Sequence, residues 1–397
     1  MIQYQLLSGL LHLIIFFMGA AIGSFLNVVI YRLPRDLSVN EPKRSFCPVC
    51  KRQIPWYENI PLVSWLMLRG RCSNPECRTR ISARYIGVEF LTGVLFYALF
   101  WRFGGDWRDV VEWGPLVACL WVFVSLLIAG TFIDIEHFIL PHEITIGGAV
   151  AGLIAAAAVP ELVQETTHLR GFLVSLASGA LGLGGLWLVV ELGKLAFGKK
   201  NYVFNKPEDW SVTQPDEEQP PVFTVEGTEY SWADLYFRPT DRLVVACEEV
   251  RINDRSWSKA TVELWEEKLV VRTAESSEIA AEVAIADWKL VEGTTSRVTI
   301  PREAMGFGDV LLLMMIGTFL GWKAVLFTIL AASVLGTLLA GFWRLIGRSE
   351  WSAKIPFGPY LAAGAVLWLF IGQQIMHWYL GKVMGTSAFQ GIVLMDL

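Results

Sequence analysis

The sequence predicts an α-helical polytopic membrane protein of about eight transmembrane helices. It adds a cytoplasmic zinc-ribbon-like loop near the start and a small β-rich soluble domain inserted between the fifth and sixth spans. Three observations predict this. Of 397 residues, 54% are hydrophobic and only 18% charged, with a mean hydropathy of +0.46; apolar runs of about 18 or more residues read as membrane helices. Four of the six cysteines fall in two close pairs within one polar loop. Residues 198–302 carry 13 Lys and Arg against 20 Asp and Glu, in short alternating runs unlike the rest of the chain.

Leu6 to Tyr31 is apolar apart from His12, and small residues Gly19-Ala20-Ala21 interrupt it. No basic residue precedes it, whereas a cleaved secretory signal carries its positive charge on that side. It is therefore expected to be a retained anchor with its N-terminus outside, and 1–31 forms the first segment.

Residues 32–84 hold 11 Lys and Arg against Asp36, Glu41, Glu58 and Glu76. The positive-inside rule places such a loop in the cytoplasm. Cys47-Pro48-Val49-Cys50 and Cys72-Ser73-Asn74-Pro75-Glu76-Cys77 stand 21 residues apart. Paired thiolates on two tight turns can complete a tetrahedral zinc site. Two disulfides are the alternative, disfavoured in a reducing compartment. Cys119 and Cys247 read as buried small hydrophobes.

Further spans are expected near Tyr85–Trp101, Pro115–Ile133, Phe138–Val159, Gly171–Val190, Ala304–Leu320, Ala324–Phe342 and Ile355–Leu380. They lie in segments 85–197 and 303–397. Counting inward from an outside N-terminus, the third span ends at Asp134 and the sixth begins near Asp309, both at the cytoplasmic face. The basic loop Arg344 to Lys354, with Arg348, falls inside by the same count.

Segment 198–302 is read as cytoplasmic. Its opening, Pro207 to Pro221, is rich in proline and acid and looks like a flexible linker. Val222–Val225, Arg242–Ala246, Lys268–Arg272 and Ser296–Ile300 have the period of strands, and Ser256–Glu267 is read as a short helix. The domain serves either docking and substrate recognition or a passive insertion.

Ionisable groups in apolar helices carry the chemistry. Asp309 follows Gly306-Phe307-Gly308 and opens the run Val310–Ile316. Burying such a group costs about 2.5–3.5 kcal/mol at mid-membrane and less near an interface. A plain N-cap explains one such residue, but Asp134 has the same placement. Two carboxyls sharing a site do not both ionise readily. One can then activate water as a general base while the protonated one polarises a carbonyl. Glu89, about a turn into the second span, is either functional or bonded to a basic loop side chain. Glu191 and Lys194 pair or snorkel, and Leu181–Gly185 is close helix packing rather than a nucleotide loop. His137 and His142 with Glu136 and Glu143 suggest a metal site or plain interfacial polarity. A proton-coupled transporter also uses isolated intramembrane acids, although it needs no cysteine tetrad. No nucleic-acid partner is expected.

The motifs resemble those of the type IV prepilin peptidases, the prepilin leader peptidase/N-methyltransferase family of GxGD-type intramembrane aspartic peptidases. Gly23-Ser24-Phe25-Leu26-Asn27 through Leu33-Pro34 is similar to the family's N-terminal signature. The cysteine pairs with Glu58-Asn59-Ile60-Pro61 between them resemble its zinc loop. Thr131–Glu136 leading to Leu140-Pro141, Gly306–Asp309, and Ile355–Ala362 resemble its later segments. The resemblance implies catalytic Asp134 and Asp309, structural zinc on Cys47, Cys50, Cys72 and Cys77, and a location in the bacterial inner membrane. It implies cleavage of type IV prepilins or type II secretion pseudopilins at the cytoplasmic face, in contact with lipid and the pilus or secretion assembly machinery. It also implies N-methylation of the new terminus by S-adenosylmethionine. Three departures stand out: Leu311 replaces a usual lysine, His142 a usual acid, and the insert is atypical. A catalytically degenerate assembly factor is the alternative they raise.

Overall fold

The computed structural model describes residues 2–42, 44–105, 109–197, 199–214, 220–236, 241–273, 279–284, 287–288, 290–301, 306–345 and 356–384. The expected basic loop around Arg348 lies largely outside these. The chain divides into two compact units, Met1–Trp187 with Gly306–Leu397, and Leu188–Met305. The second is wider than the expected insert 198–302, because the last turns of a helix belong to it.

The first unit is helical. It contains α1 (Ile2–Arg32), the short α2 (Val63–Met67), α3 (Ala83–Phe103), α4 (Val110–His137), α5 (His142–Ala158) and α6 (His168–Phe197), the last of which runs on into the second unit. After the insert come α8 (Phe307–Leu345), α9 (Gly358–Leu367) and α10 (Gln373–Met384), the last two joined by a π-helical turn at Trp368–Gly372. Among the described residues, six helical segments are long and apolar enough to cross a membrane, and α5 is a shorter apolar helix. At 1.5 Å per residue, its 17 residues span about 25 Å, slightly less than a typical hydrocarbon core. α8 is broken at Gly321, whose φ of 80° and ψ of 174° are not helical. Only glycine adopts that backbone without a Cβ penalty. The break falls between the two expected spans Ala304–Leu320 and Ala324–Phe342.

Small residues let these helices approach, as membrane packing requires. A Cβ on Gly23 of α1 would stand 2.7 Å from Glu89 Cα of α3. One on Gly182 would stand 2.6 Å from the Leu313 carbonyl of α8, so Gly182 packs closely there, whereas Gly184 and Gly185 face open space. Leu26, Ile30, Val88, Ile128, Ile133 and Ile144 close a core between α1, α3, α4 and α5. Leu330, Val334 and Leu338 of α8 face outward, as on a surface whose solvent is apolar.

The second unit holds an eight-stranded antiparallel sheet of β1 (Lys199–Thr213), β2 (Val222–Val225), β3 (Thr228–Ser231), β4 (Leu243–Ile252), β5 (Arg255–Leu264), β6 (Lys268–Thr273), β7 (Ile279–Ala284) and β8 (Val291–Pro301). Their order is β3-β2-β1-β8-β4-β5-β6-β7. Trp210, Phe223, Val245, Val262 and Val298 lie in its core, with Trp232 and Leu235 from the four-residue α7 (Trp232–Leu235). Two expectations are corrected here. Ser256–Glu267 is not a helix: Ser256–Leu264 is strand, with Ala260, Val262, Glu263 and Leu264 buried and each residue from Ala260 to Leu264 paired across to β6. Residues 207–213 are not linker either, because Trp210 and Val212 alternate into the core. Pro207 is tolerated at a register shift of β1 against β8, where no ladder hydrogen bond is needed. Residues 215–219 lie outside the described part.

Candidate active site and metal centre

Asp134 lies in the last turn of α4. That helix ends because Phe138 turns to φ 56° and donates its N–H to the Asp134 carbonyl at 2.9 Å. Pro141 then starts α5, so Leu140 is held in the corner between the two helices. Asp309 stands in the first turn of α8, its N–H donating to Gly306 O at 3.2 Å. Both carboxylates are buried, at 6% and 7% exposure.

Leu140 relates the two positions. A Cβ on Gly308, next to Asp309, would meet Leu140 Cβ at 2.9 Å, and one on Gly358 would meet Leu140 Cδ1 at 3.4 Å. Gly358 in turn lies against Asp134, where a Cβ would come within 2.5 Å of Oδ2. The Gly358 N–H faces that carboxyl, and Oδ2 is buried without a hydrogen-bond partner among the described residues. The end of α4 and the starts of α8 and α9 thus converge on one leucine. Leu311, in place of the lysine the resemblance leads one to expect, is buried at 5% exposure.

Glu136, two residues on, pairs with Arg84 at 2.6 Å, tying the start of α3 to the end of α4. Among the described residues the four cysteines are the group that could hold a metal; the Glu136, His137, His142 and Glu143 set is not gathered. Sequence reading did not find the Arg84 pair, Leu140 or Gly358 as site residues. The pair spans 52 positions and leaves no local spacing to detect.

The cysteine loop is built from two matching turns. Lys51 N–H donates to Cys47 O at 2.9 Å, and an isolated bridge pairs Phe46 with Gln53. Arg78 N–H donates to Asn74 O at 3.0 Å, and a second bridge pairs Arg71 with Arg80. In each, the residue after the second cysteine has positive φ, Lys51 at 59° and Arg78 at 43°, which folds the chain back and aims both thiols inward. All four sulfurs lie within 4.8 Å of one another, with Cys47–Cys77 and Cys50–Cys72 at 3.9 Å. A tetrahedral site with Zn–S near 2.3 Å has sulfurs about 3.8 Å apart, whereas a disulfide needs about 2.05 Å. The Thr79 hydroxyl beside Cys77 lowers that thiol to about 7, and burial raises Cys72 to about 11.

Among the described residues Glu89 bonds no basic side chain. Its Oε2 accepts the Leu62 backbone N–H at 2.6 Å, pinning the loop to α3.

Comparison with known proteins agrees with this geometry. Residues 17–103 match the Bacterial Peptidase A24 N-terminal domain, and residues 121–200 and 283–341 match the Type IV leader peptidase family, so most of the sheet falls in the gap. A "Prepilin leader peptidase/N-methyltransferase" of Myxococcus xanthus is 44% identical over 193 residues, covering 45% of this chain and 54% of that protein. Proteins of the same name from Aeromonas hydrophila, 29% identical, and Pseudomonas aeruginosa, 27% identical, align over 92% and 91% of this chain and 93% and 91% of their own lengths. No solved structure matches. Two buried acids at one corner of the helices, a cysteine tetrad and these matches together give the assignment: the chain belongs to the type IV leader peptidase family.

Proposed function

We infer that the protein is a membrane aspartic endopeptidase that removes the leader of type IV prepilins or type II secretion pseudopilins and N-methylates the new N-terminus. The observation that carries the peptidase reading is the convergence of buried Asp134 and Asp309 on Leu140. One carboxylate takes a proton from water while the other, protonated, polarises the scissile carbonyl; burial strengthens both effects by keeping bulk water out. Leu311 stands where the resemblance leads one to expect a lysine two residues after Asp309.

The four sulfurs suit zinc in a closed structural site, with no open position for substrate. S-adenosylmethionine, when bound, supplies an electrophilic methyl group. The eight-span reading is supported by the break at Gly321 and by α5, and places the N-terminus outside and the aspartates at the cytoplasmic face of the bacterial inner membrane. The positive charge of residues 32–84 supports that orientation.

Cleavage of a model prepilin in detergent or liposomes tests the proposal. Asp134→Asn and Asp309→Asn are each expected to slow cleavage at least about a hundredfold. Cleavage that survives in both, or is absent in the wild type, rejects it. A transporter or an inactive assembly factor gives the second result.

A further inference from the structure

One cavity in the helical unit lies away from the aspartates and has Cys47 and Cys72 of the cysteine tetrad in its wall. It lies between the cysteine loop, α1 and α3, and has a volume of about 350 Å³, within the range of small-molecule sites. Its walls are mostly apolar and include the rings of Tyr31, Phe46, Trp65 and Tyr85.

Asn27 lines it at 2% exposure. Its Nδ2 donates to Tyr85 O at 3.0 Å, while Oδ1 is buried with no hydrogen-bond partner among the described residues. An unpaired buried acceptor is unfavourable unless a donor arrives. Glu89, at 9% exposure, lines the same cavity and is oriented by the Leu62 N–H. Leu62 has φ 64° and ψ −49°, and Val63 N–H donates to Pro61 O at 2.7 Å. That is a γ-turn of the rare, strained kind, held against the cavity by Glu89.

The cavity therefore offers aromatic and apolar walls, one unmet acceptor and the acids Glu58 and Glu89. Of its lining arginines, Arg32 is spent on the carbonyls of Ser38, Val39 and Pro42, and Arg52 on Ser73 and Glu58. Arg71 and Arg80 complete the lining cations. A phosphate headgroup would find those two cations but would leave Glu58, Glu89 and the unmet Asn27 acceptor facing negative charge. A ligand with an aromatic amine, a positive centre and a carboxylate matches the unmet acceptor, the two acids and the two arginines.

We propose that this cavity is the S-adenosylmethionine site, with Asn27 Oδ1 accepting from a ligand N–H and Glu89 facing its positive charge. The proposal rests on the methyltransferase reading. In the transfer, the lone pair of the neutral acceptor amine would bond the methyl carbon as the carbon–sulfur pair returned to sulfur, leaving a neutral thioether and a secondary ammonium that carries the positive charge.

The full chain, purified with its metal, is photo-cross-linked with methyl-tritiated S-adenosylmethionine and the labelled peptides are mapped. Label on peptides within residues 24–89, displaced by S-adenosylhomocysteine, supports the site. Calorimetry with S-adenosylhomocysteine is expected to show affinity weakened at least about tenfold in Asn27→Leu and Glu89→Gln. Label on other peptides, equal affinity in both variants, or displacement of label by phosphatidylglycerol overturns the site and leaves methylation standing. A wild type that cleaves prepilin yet neither takes label nor binds removes the methyltransferase reading, and the inference with it.

Discussion

At Gly358 the side chain is a hydrogen, and the Asp134 carboxyl occupies the space a larger residue would need. Gly358→Ala puts a methyl group 2.5 Å from Oδ2, a separation that real atoms avoid, so either α9 or the carboxyl must move. Misplacing a catalytic group by about 1 Å costs on the order of a hundredfold. The expected outcome is cleavage reduced at least about tenfold with the protein still folded, measured by initial rates beside the thermal midpoint. An unchanged rate would show that Gly358 does not position Asp134. Both aspartates were legible in the sequence because an acid at the mouth of an apolar helix has few structural reasons to be there. Gly358 was visible only as part of a resembling segment. Its reason is a contact with a residue more than two hundred positions away, which no local pattern encodes.

At the scale of elements, the two cysteine turns make a sharper claim than spacing alone. Because each is closed by its own bridge and its own positive-φ residue, one thiol lost should leave three ligands in place but an open fourth position. Cys47→Ser is expected to lower bound zinc from about one ion per chain to a small fraction of that after mild chelation, read by mass spectrometry or a colorimetric assay. Full retention would argue for a site elsewhere.

The sheet makes a separate prediction through Cys247. Burial there pushes the thiol up to about 12, and burial also raises the Tyr236 phenol, whose hydroxyl donates to Leu264 O at 2.9 Å. Both groups stay neutral in the folded strand layer, while an unfolded thiol ionises near pH 8.5–9. The unfolded chain therefore holds fewer protons above about pH 9. Stability from these groups is complete below that and is lost as pH climbs toward the folded values. Cys247 alone should cost the domain about 2 kcal/mol by about pH 10.5. Cys247→Ala should flatten that slope in tryptophan-fluorescence melts, and an identical slope would exclude it. The strands themselves were read from alternation, and four of them appear where alternation was cleanest. β5 was mistaken for a helix because Ser256–Lys259 carry no buried apolar residue, and β1 for a linker because its proline sits at a bulge.

For the whole molecule, the matched family segments skip residues 201–282, and the sheet has its own core. Of the leader peptidase segments, residues 188–200 and 283–305 fall in the sheet's unit and the rest in the other. Replacing residues 200–300 by a short Gly-Ser connection is expected to leave prepilin cleavage within about fivefold of the intact chain, since a module with its own core contributes little to the stability of another. A larger loss, with the helices still folded, would assign the sheet a part in binding substrate. That the first unit is built of apolar helices was legible from hydropathy, and the break at Gly321 falls between two of the expected spans. The way the ends of α4, α8 and α9 gather around Leu140 was not, because helix contacts follow from three-dimensional packing that hydropathy does not record.

Lys199 and Pro301 are paired across β1 and β8, so the polypeptide departs for the soluble module and comes back through neighbouring positions. Such a doorway accepts cargo of almost any length without stretching the helices on either side. A fluorescent protein or an affinity handle with adjacent termini could be spliced there, giving the protein a visible label.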